Sequence, residues 1–219
     1  MTKKQPKENE PMSSLIHLIG LFLSIAGLVL LVVFAVLYGS VWHVVGFSIF
    51  GASLILVYFT STLYHFISKT HKAKGILQKI DHLMIYILIA GTYTPIFLVV
   101  LQGWIGWSLF GVIWFLAISG VILKLKLKTV KPWFFPLYYI AMGWLIIIAA
   151  VPLFRSLPLE GIFWAIAGGV FYTFGVIFFS LDHIVPRTRW FGMHEIFHIF
   201  VIAGSFSHFW LMLKYVLYI

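Results

Sequence analysis

Residues 15–37 read LIHLIGLFLSIAGLVLLVVFAVL, and this run decides the fold class. It contains no Lys, Arg, Asp or Glu. As an α-helix rising about 1.5 Å per residue, it is long enough to cross the roughly 30 Å hydrocarbon core of a bilayer. It is too long for the apolar centre of a secretory signal and lacks the small-x-small cleavage pattern, so it is expected to remain as a span. Residues 1–11 before it read as a polar tail, and residues 12–219 as a single transmembrane domain.

Six further stretches pass the same length test: Val44–Phe66, Leu83–Leu101, Ile105–Leu123, Phe134–Phe154, Ile162–Leu181 and Ile196–Tyr218. Composition agrees with them. The chain is 62% hydrophobic and 10% charged, with a mean hydropathy of +1.06, whereas a water-soluble domain needs far more ionisable surface. The expected architecture is an all-α integral membrane protein, a seven-transmembrane helix bundle, multi-pass in the cell membrane.

Basic residues set the orientation. Lys3, Lys4 and Lys7 precede span one; Lys69, Lys72, Lys74 and Lys79 join spans two and three; Lys124, Lys126, Lys128 and Lys131 join four and five; Arg187 and Arg189 join six and seven. These thirteen of fifteen basic residues fall on alternate connections, leaving Arg155 and Lys214 for the other side. The positive-inside rule then puts the N-terminus in the cytosol and the C-terminus outside. Topology thus accounts for the net charge of +9, with anionic lipid headgroups as a natural contact and no need for nucleic acid. The outer connections are short. The cytosolic link Ser68–Ile80 carries Ile76, Leu77 and Ile80 among lysines, either as an interfacial amphipathic turn or as a solvated loop. Pro95 inside span three predicts a kink, and the odd number of spans argues against a simple inverted repeat.

Chemistry concentrates at one depth. His194-Glu-Ile-Phe-His198 opens span seven, and imidazoles four residues apart share a helix face and can grip one metal ion. Ser61-Thr-Leu-Tyr-His65 ends span two, and Asp81 lies just ahead of span three. Given the orientation above, all three segments reach the cytosolic edge of the bundle. Polar groups near spans are costly and tend to serve function. The chain has no cysteine, so a transition-metal site must use His and carboxylate ligands. Ser61 could position a water or a carbonyl, or bond a carbonyl of its own helix. Asp81 could accept a proton or orient water, or be an acid placed at a helix N-terminus by the dipole. Residues 194–198 also spell the H-E-x-x-H metalloprotease pattern, with Glu195 as base. That reading needs a further downstream ligand, and His208 lies about 15 Å beyond His198 along the helix, so Glu195 reads as incidental. His17 could reach the cluster from span one, though a lone histidine there more often bonds a backbone carbonyl. His43, His71, His82 and His183 read as interfacial, with His82 and His183 the candidates for more.

Seven spans, Glu10-x-x-Ser13-x-x-x-His17, Ser61-x-x-x-His65, Asp81 and His194-x-x-x-His198 together resemble the hemolysin III family. This is the bacterial branch of the progestin and adipoQ receptors, in a superfamily that includes alkaline ceramidases. The stretch Gly192–Ser205 is especially similar. The resemblance implies zinc held by His65, His194 and His198, water as fourth ligand, and Ser61 and Asp81 nearby. The family commonly has Asn where this chain has Ser13.

Three functions follow as expectations. Three His ligands with an open position suit a catalytic zinc, and a site at the bilayer edge suits an amphiphile. The preferred expectation is therefore a zinc-dependent hydrolase of membrane lipid amides or esters, ceramidase-like, with Asp81 assisting proton transfer and Ser61 placing the carbonyl. The alternatives are a receptor-like or membrane-homeostasis protein with structural zinc, and a cytolytic pore.

Overall fold

The computed structural model describes residues 11–68, 70–127, 129–182, 184–186, 188 and 191–219. Glu10, His183 and the basic residues Lys3, Lys4, Lys7, Lys69, Lys128, Arg187 and Arg189 lie outside the described residues. Seven helical spans long and apolar enough to cross a membrane are present: Pro11–Tyr38, Val41–Phe66, Lys74–Val100, Gly103–Lys126, Phe134–Ser156, Leu159–Leu181 and Met193–Tyr218. The protein is thus an all-helical, multi-pass membrane protein. The helices are α1 (Pro11–Tyr38), α2 (Val41–Phe66), α3 (Lys74–Pro95), α4 (Gly103–Lys126), α5 (Phe134–Gly143), α6 (Ala150–Ser156), α7 (Leu159–Leu181) and α8 (Met193–Lys214). Span five is the broken pair α5–α6, joined by a 3₁₀ turn over Leu145–Ala149.

Membrane solvation inverts the usual amphipathic pattern. The inward face of α1 carries Ser13, Ser14, His17, Gly20 and Ser24, at helical spacing, while Leu15, Ile19, Phe22 and Leu23 are exposed. Small and hydroxyl residues let helices approach closely where apolar burial gives no advantage over lipid. Gly20 shows the need. A Cβ there would lie 2.7 Å from the Tyr58 ring of α2, so any larger residue would wedge the two helices apart. Span three is central, every residue from Ala90 to Val100 being buried.

The expected distortion near Pro95 takes the form of a π-helical turn over Ile96–Val100, closed by Leu101 N donating to Ile96 O at 3.1 Å. Just before it, the Thr92 and Thr94 hydroxyls donate to the carbonyls of Leu88 and Ala90, each at 2.8 Å. Membrane helices tolerate breaks when neighbours satisfy the backbone. The break between α5 and α6 follows that rule, since the Tyr93 hydroxyl donates to Gly143 O and accepts from Ile146 N at 3.3 Å.

α3 starts well before the apolar run read from the sequence. It begins at Lys74, so Asp81 sits about two turns inside the helix and not at its N-terminus. The dipole explanation of Asp81 therefore does not apply. Much of the lysine-bearing link is helical, with Ile76 exposed and Leu77 and Ile80 partly buried. Lys74 donates through Nζ to Tyr64 O and, at 3.3 Å, to Ile67 O, which supplies donors to the carbonyl end of α2.

Candidate metal centre

The site forms where α2 ends and α8 begins. His65 closes α2 one turn beyond Ser61, and His194 and His198 sit one turn apart at the start of α8. One ligand atom from each of the three imidazoles lies within 4.8 Å of the others, so the three could hold a metal ion. The Nε2 atoms of His65 and His194 are 3.3 Å apart. Ring centroids are separated by 5.0 Å for His65–His194, 4.9 Å for His65–His198 and 4.6 Å for His194–His198. His65 and His198 are buried, and His194 is partly so.

Neighbouring residues orient these imidazoles. Asp182, at the end of α7, accepts from His194 N at 3.1 Å and holds its second oxygen 3.9 Å from His194 Nδ1. A carboxylate beside one ring nitrogen favours presentation of the other, the usual arrangement around metal-ligating histidines. Asp81 on α3 lies near enough to the Ser61 hydroxyl and to His65 to interact electrostatically with both. The residues of four helices are therefore assembled at one end of the bundle, and the set Ser61, His65, Asp81, His194 and His198 lies together there.

α1 closes the site from its remaining side. Ser13 Oγ donates to Glu195 Oε1 at 2.7 Å, and Glu195 Oε2 accepts from Gly192 N at 2.7 Å. Glu195 is fully buried. Read from the sequence as incidental to the protease pattern, this carboxylate has a structural part: it ties the first turn of α8 to α1. Ser14 adds a bond to Thr62 O at 3.2 Å. His17 stacks on His198 with centroids 3.7 Å apart and planes 18° from parallel. Contrary to expectation, it bonds no backbone carbonyl, and neither ring nitrogen has a hydrogen-bond partner among the described residues.

A cavity of about 910 Å³ leads away from this cluster, lined at one end by Ser61, Asp81, His194 and His198 and farther in by apolar residues such as Leu153 and Ile162. His82 also lines it, as the exception the sequence allowed. His71 is exposed in its loop, and His43 caps α2 at the far end of the bundle, where its Nε2 lies 3.1 Å from Val216 O. His208 is separate from the triad but lines the same cavity. The roles of Asp182 and Glu195 were not read from the sequence. For Asp182 the only signal was an acid shortly before a His-bearing helix start; for Glu195 it was the serine four residues ahead of His17.

The profile described as "Haemolysin-III related" matches residues 5–209. The chain is 42% identical to "Hemolysin-3 homolog" of Bacillus subtilis (strain 168), over 95% of this chain and 94% of that one. It is 39% identical to "Hemolysin-3" of Bacillus cereus, over 99% and 98% of the two chains. A more distant similarity, 27% over 80% of this chain and 71% of the other, is to human "Monocyte to macrophage differentiation factor". With its seven spans and its imidazole cluster, this chain belongs to the haemolysin-III related family.

Proposed function

We propose that the protein is a zinc-dependent hydrolase of membrane lipid amides or esters, with His65, His194 and His198 as the metal ligands at the cytosolic edge of the bilayer. The observation that carries this reading is three imidazoles that can share one ion, two of which, His194 and His198, line a cavity whose walls are largely apolar. The donor set fits zinc. Two imidazole nitrogens about 2.0–2.1 Å from one tetrahedral ion stand about 3.4 Å apart, close to the 3.3 Å between His65 Nε2 and His194 Nε2. Bound there, zinc supplies Lewis acidity toward water and toward a carbonyl oxygen.

The protein's own residues do the remaining work. Asp81 takes the proton released as water attacks the carbonyl, and returns it to the leaving amine or alcohol. Ser61 steadies the Asp81 carboxylate and helps place the carbonyl. The apolar cavity receives a hydrocarbon chain and excludes water from it, which fixes the position of the scissile bond at headgroup depth.

A second reading treats the metal as structural, tying α2 to α8. It is favoured by the position of the triad, which joins residues 129 apart in the chain. The names of the relatives suggest a third, haemolysis. The deciding experiment is metal-loaded protein in lipid nanodiscs, screened against lipid amides and esters by mass spectrometry, with Asp81→Asn as comparison. Catalysis predicts that the variant keeps its metal and slows turnover by about 10²–10⁴-fold. Structural metal predicts no turnover in the wild type and unfolding on chelation. Dye leakage from liposomes that is independent of metal would favour the pore.

A further inference from the structure

The wall of the cavity is not uniformly apolar. His208 of α8 lies ten residues beyond His198, hence about 15 Å farther along the helix axis. The residue lines the cavity and is 8% exposed; its Nδ1 is sealed off without a hydrogen-bond partner among the described residues, so Nε2 is the ring nitrogen left to meet a bound group. The ring is held in place. Tyr172 of α7 stacks on it with centroids 5.6 Å apart, and Gly168 leaves it room, since a Cβ there would lie 2.4 Å from His208 Nε2.

The adjacent hydroxyls are already engaged. Tyr58 donates to Ser205 Oγ at 2.7 Å, and the Tyr172 hydroxyl is 3.0 Å from the same oxygen. A water at His208 would need two to four polar partners to be well held; Val201, Ala165 and Ile162 supply none, and the Tyr172 and Thr173 hydroxyls of the same cavity are already bonded to Ser205 Oγ and Gly169 O. An imidazole inside a membrane span is costly and implies a specific partner. The cavity continues past His208 to Leu153 and Ile162, so that partner lies partway along a bound molecule and not at its tip.

We propose that His208 is a subsite for an oxygen-bearing position, a hydroxyl or oxo group, on the hydrocarbon chain of the bound amphiphile. The inference rests on the amphiphile reading above and narrows its substrate class. Three bonds of an extended chain span about 3.5 Å, so the oxygen stands about a dozen bonds from the carbonyl held at the triad. Ligands with plain chains fill the same space but leave the imidazole without a partner, and an unmet polar group in a dry pocket discriminates between ligands more sharply than a methylene does.

The test is equilibrium binding to metal-loaded full-length protein in nanodiscs, using octadecanamide and its 3-hydroxy and 12-hydroxy derivatives. Wild type is expected to bind the 12-hydroxy amide several-fold to about tenfold tighter than octadecanamide, the net worth of one hydrogen bond. The 3-hydroxy amide should gain nothing. His208→Leu should erase the preference while keeping the same metal content, and His208→Gln should retain part of it. Octadecanamide binding with no gain from the 12-hydroxyl, or a gain that survives in His208→Leu, overturns the subsite and leaves the hydrolase reading standing. Failure of all three amides to bind overturns both.

Discussion

Glu195 offers the sharpest separation of a structural carboxylate from a catalytic one. Its two oxygens accept from Ser13 Oγ and from Gly192 N, both at 2.7 Å and fully buried. In Glu195→Gln the amide can keep both contacts: its oxygen faces the Gly192 N–H, and its NH₂ donates to Ser13, whose hydroxyl can turn to accept. In these two bonds the charge assistance is lost, and charge-assisted bonds are roughly twice as strong as neutral ones. The expected cost is about 1–2 kcal/mol in total. Glu195→Ala is different. It removes two charge-assisted bonds worth about 1.5–3 kcal/mol each and leaves the Gly192 N–H buried without a partner, for a loss of about 3–5 kcal/mol. The assay is unfolding of the metal-loaded protein in micelles, with metal content and lipid hydrolysis followed in parallel. A Gln variant that folds and holds metal normally but no longer turns over would refute the structural assignment and restore Glu195 as a general base. Equal stability of the Gln and Ala variants would refute the hydrogen-bond reasoning.

Purified protein should carry about one zinc per chain, and His65→Ala, His194→Ala and His198→Ala should each abolish it, since two imidazoles bind too weakly to survive dilution; elemental analysis reads this directly, and a variant that keeps stoichiometric metal removes its residue from the set. Reporter fusions at residues 72 and 128 should be cytosolic and one at residue 219 external; an external residue 72 would overturn the positive-inside assignment. Gly20→Val should push α1 from the Tyr58 ring, costing about 1–3 kcal/mol as overpacking does. It should also weaken metal retention, because His17 and Ser13 lie on the face that moves. Wild-type thermal stability and metal content in that variant would contradict the close approach.

Seven spans could be read from the sequence because bilayer thickness fixes the length of an apolar run, whatever packs against it. The i, i+4 histidines of α8 were equally legible, since helix geometry alone puts His194 and His198 on one face. Helix starts rich in lysine were not. Lys74 and Lys79 extend α3 beyond its apolar stretch, where charge reads as loop. The inner face of α1 was hidden for a related reason: hydropathy ranks Ser13, Ser14 and Ser24 as interruptions, yet in a bilayer these are the residues that turn inward. The breaks in spans three and five were half legible. Pro95 marks the first, but the second depends on the Tyr93 hydroxyl, whose reach across the bundle no local pattern encodes. Ser13–Glu195 and Asp182–His194 likewise depend on tertiary placement.

The bond from Ser13 to Glu195 spans 182 positions of the chain, and His65 meets His194 across 129. Synthesis proceeds from the N-terminus, so four spans, the third to the sixth, are made after His65 and before its partners exist. Until then Ser13, His17 and His65 lack the α8 contacts described here. Under the proposed metal site, loading is then the last event of biogenesis, waiting on insertion of the final helix. A ribosome-bound chain truncated before residue 193 should hold no zinc, whatever the metal supply.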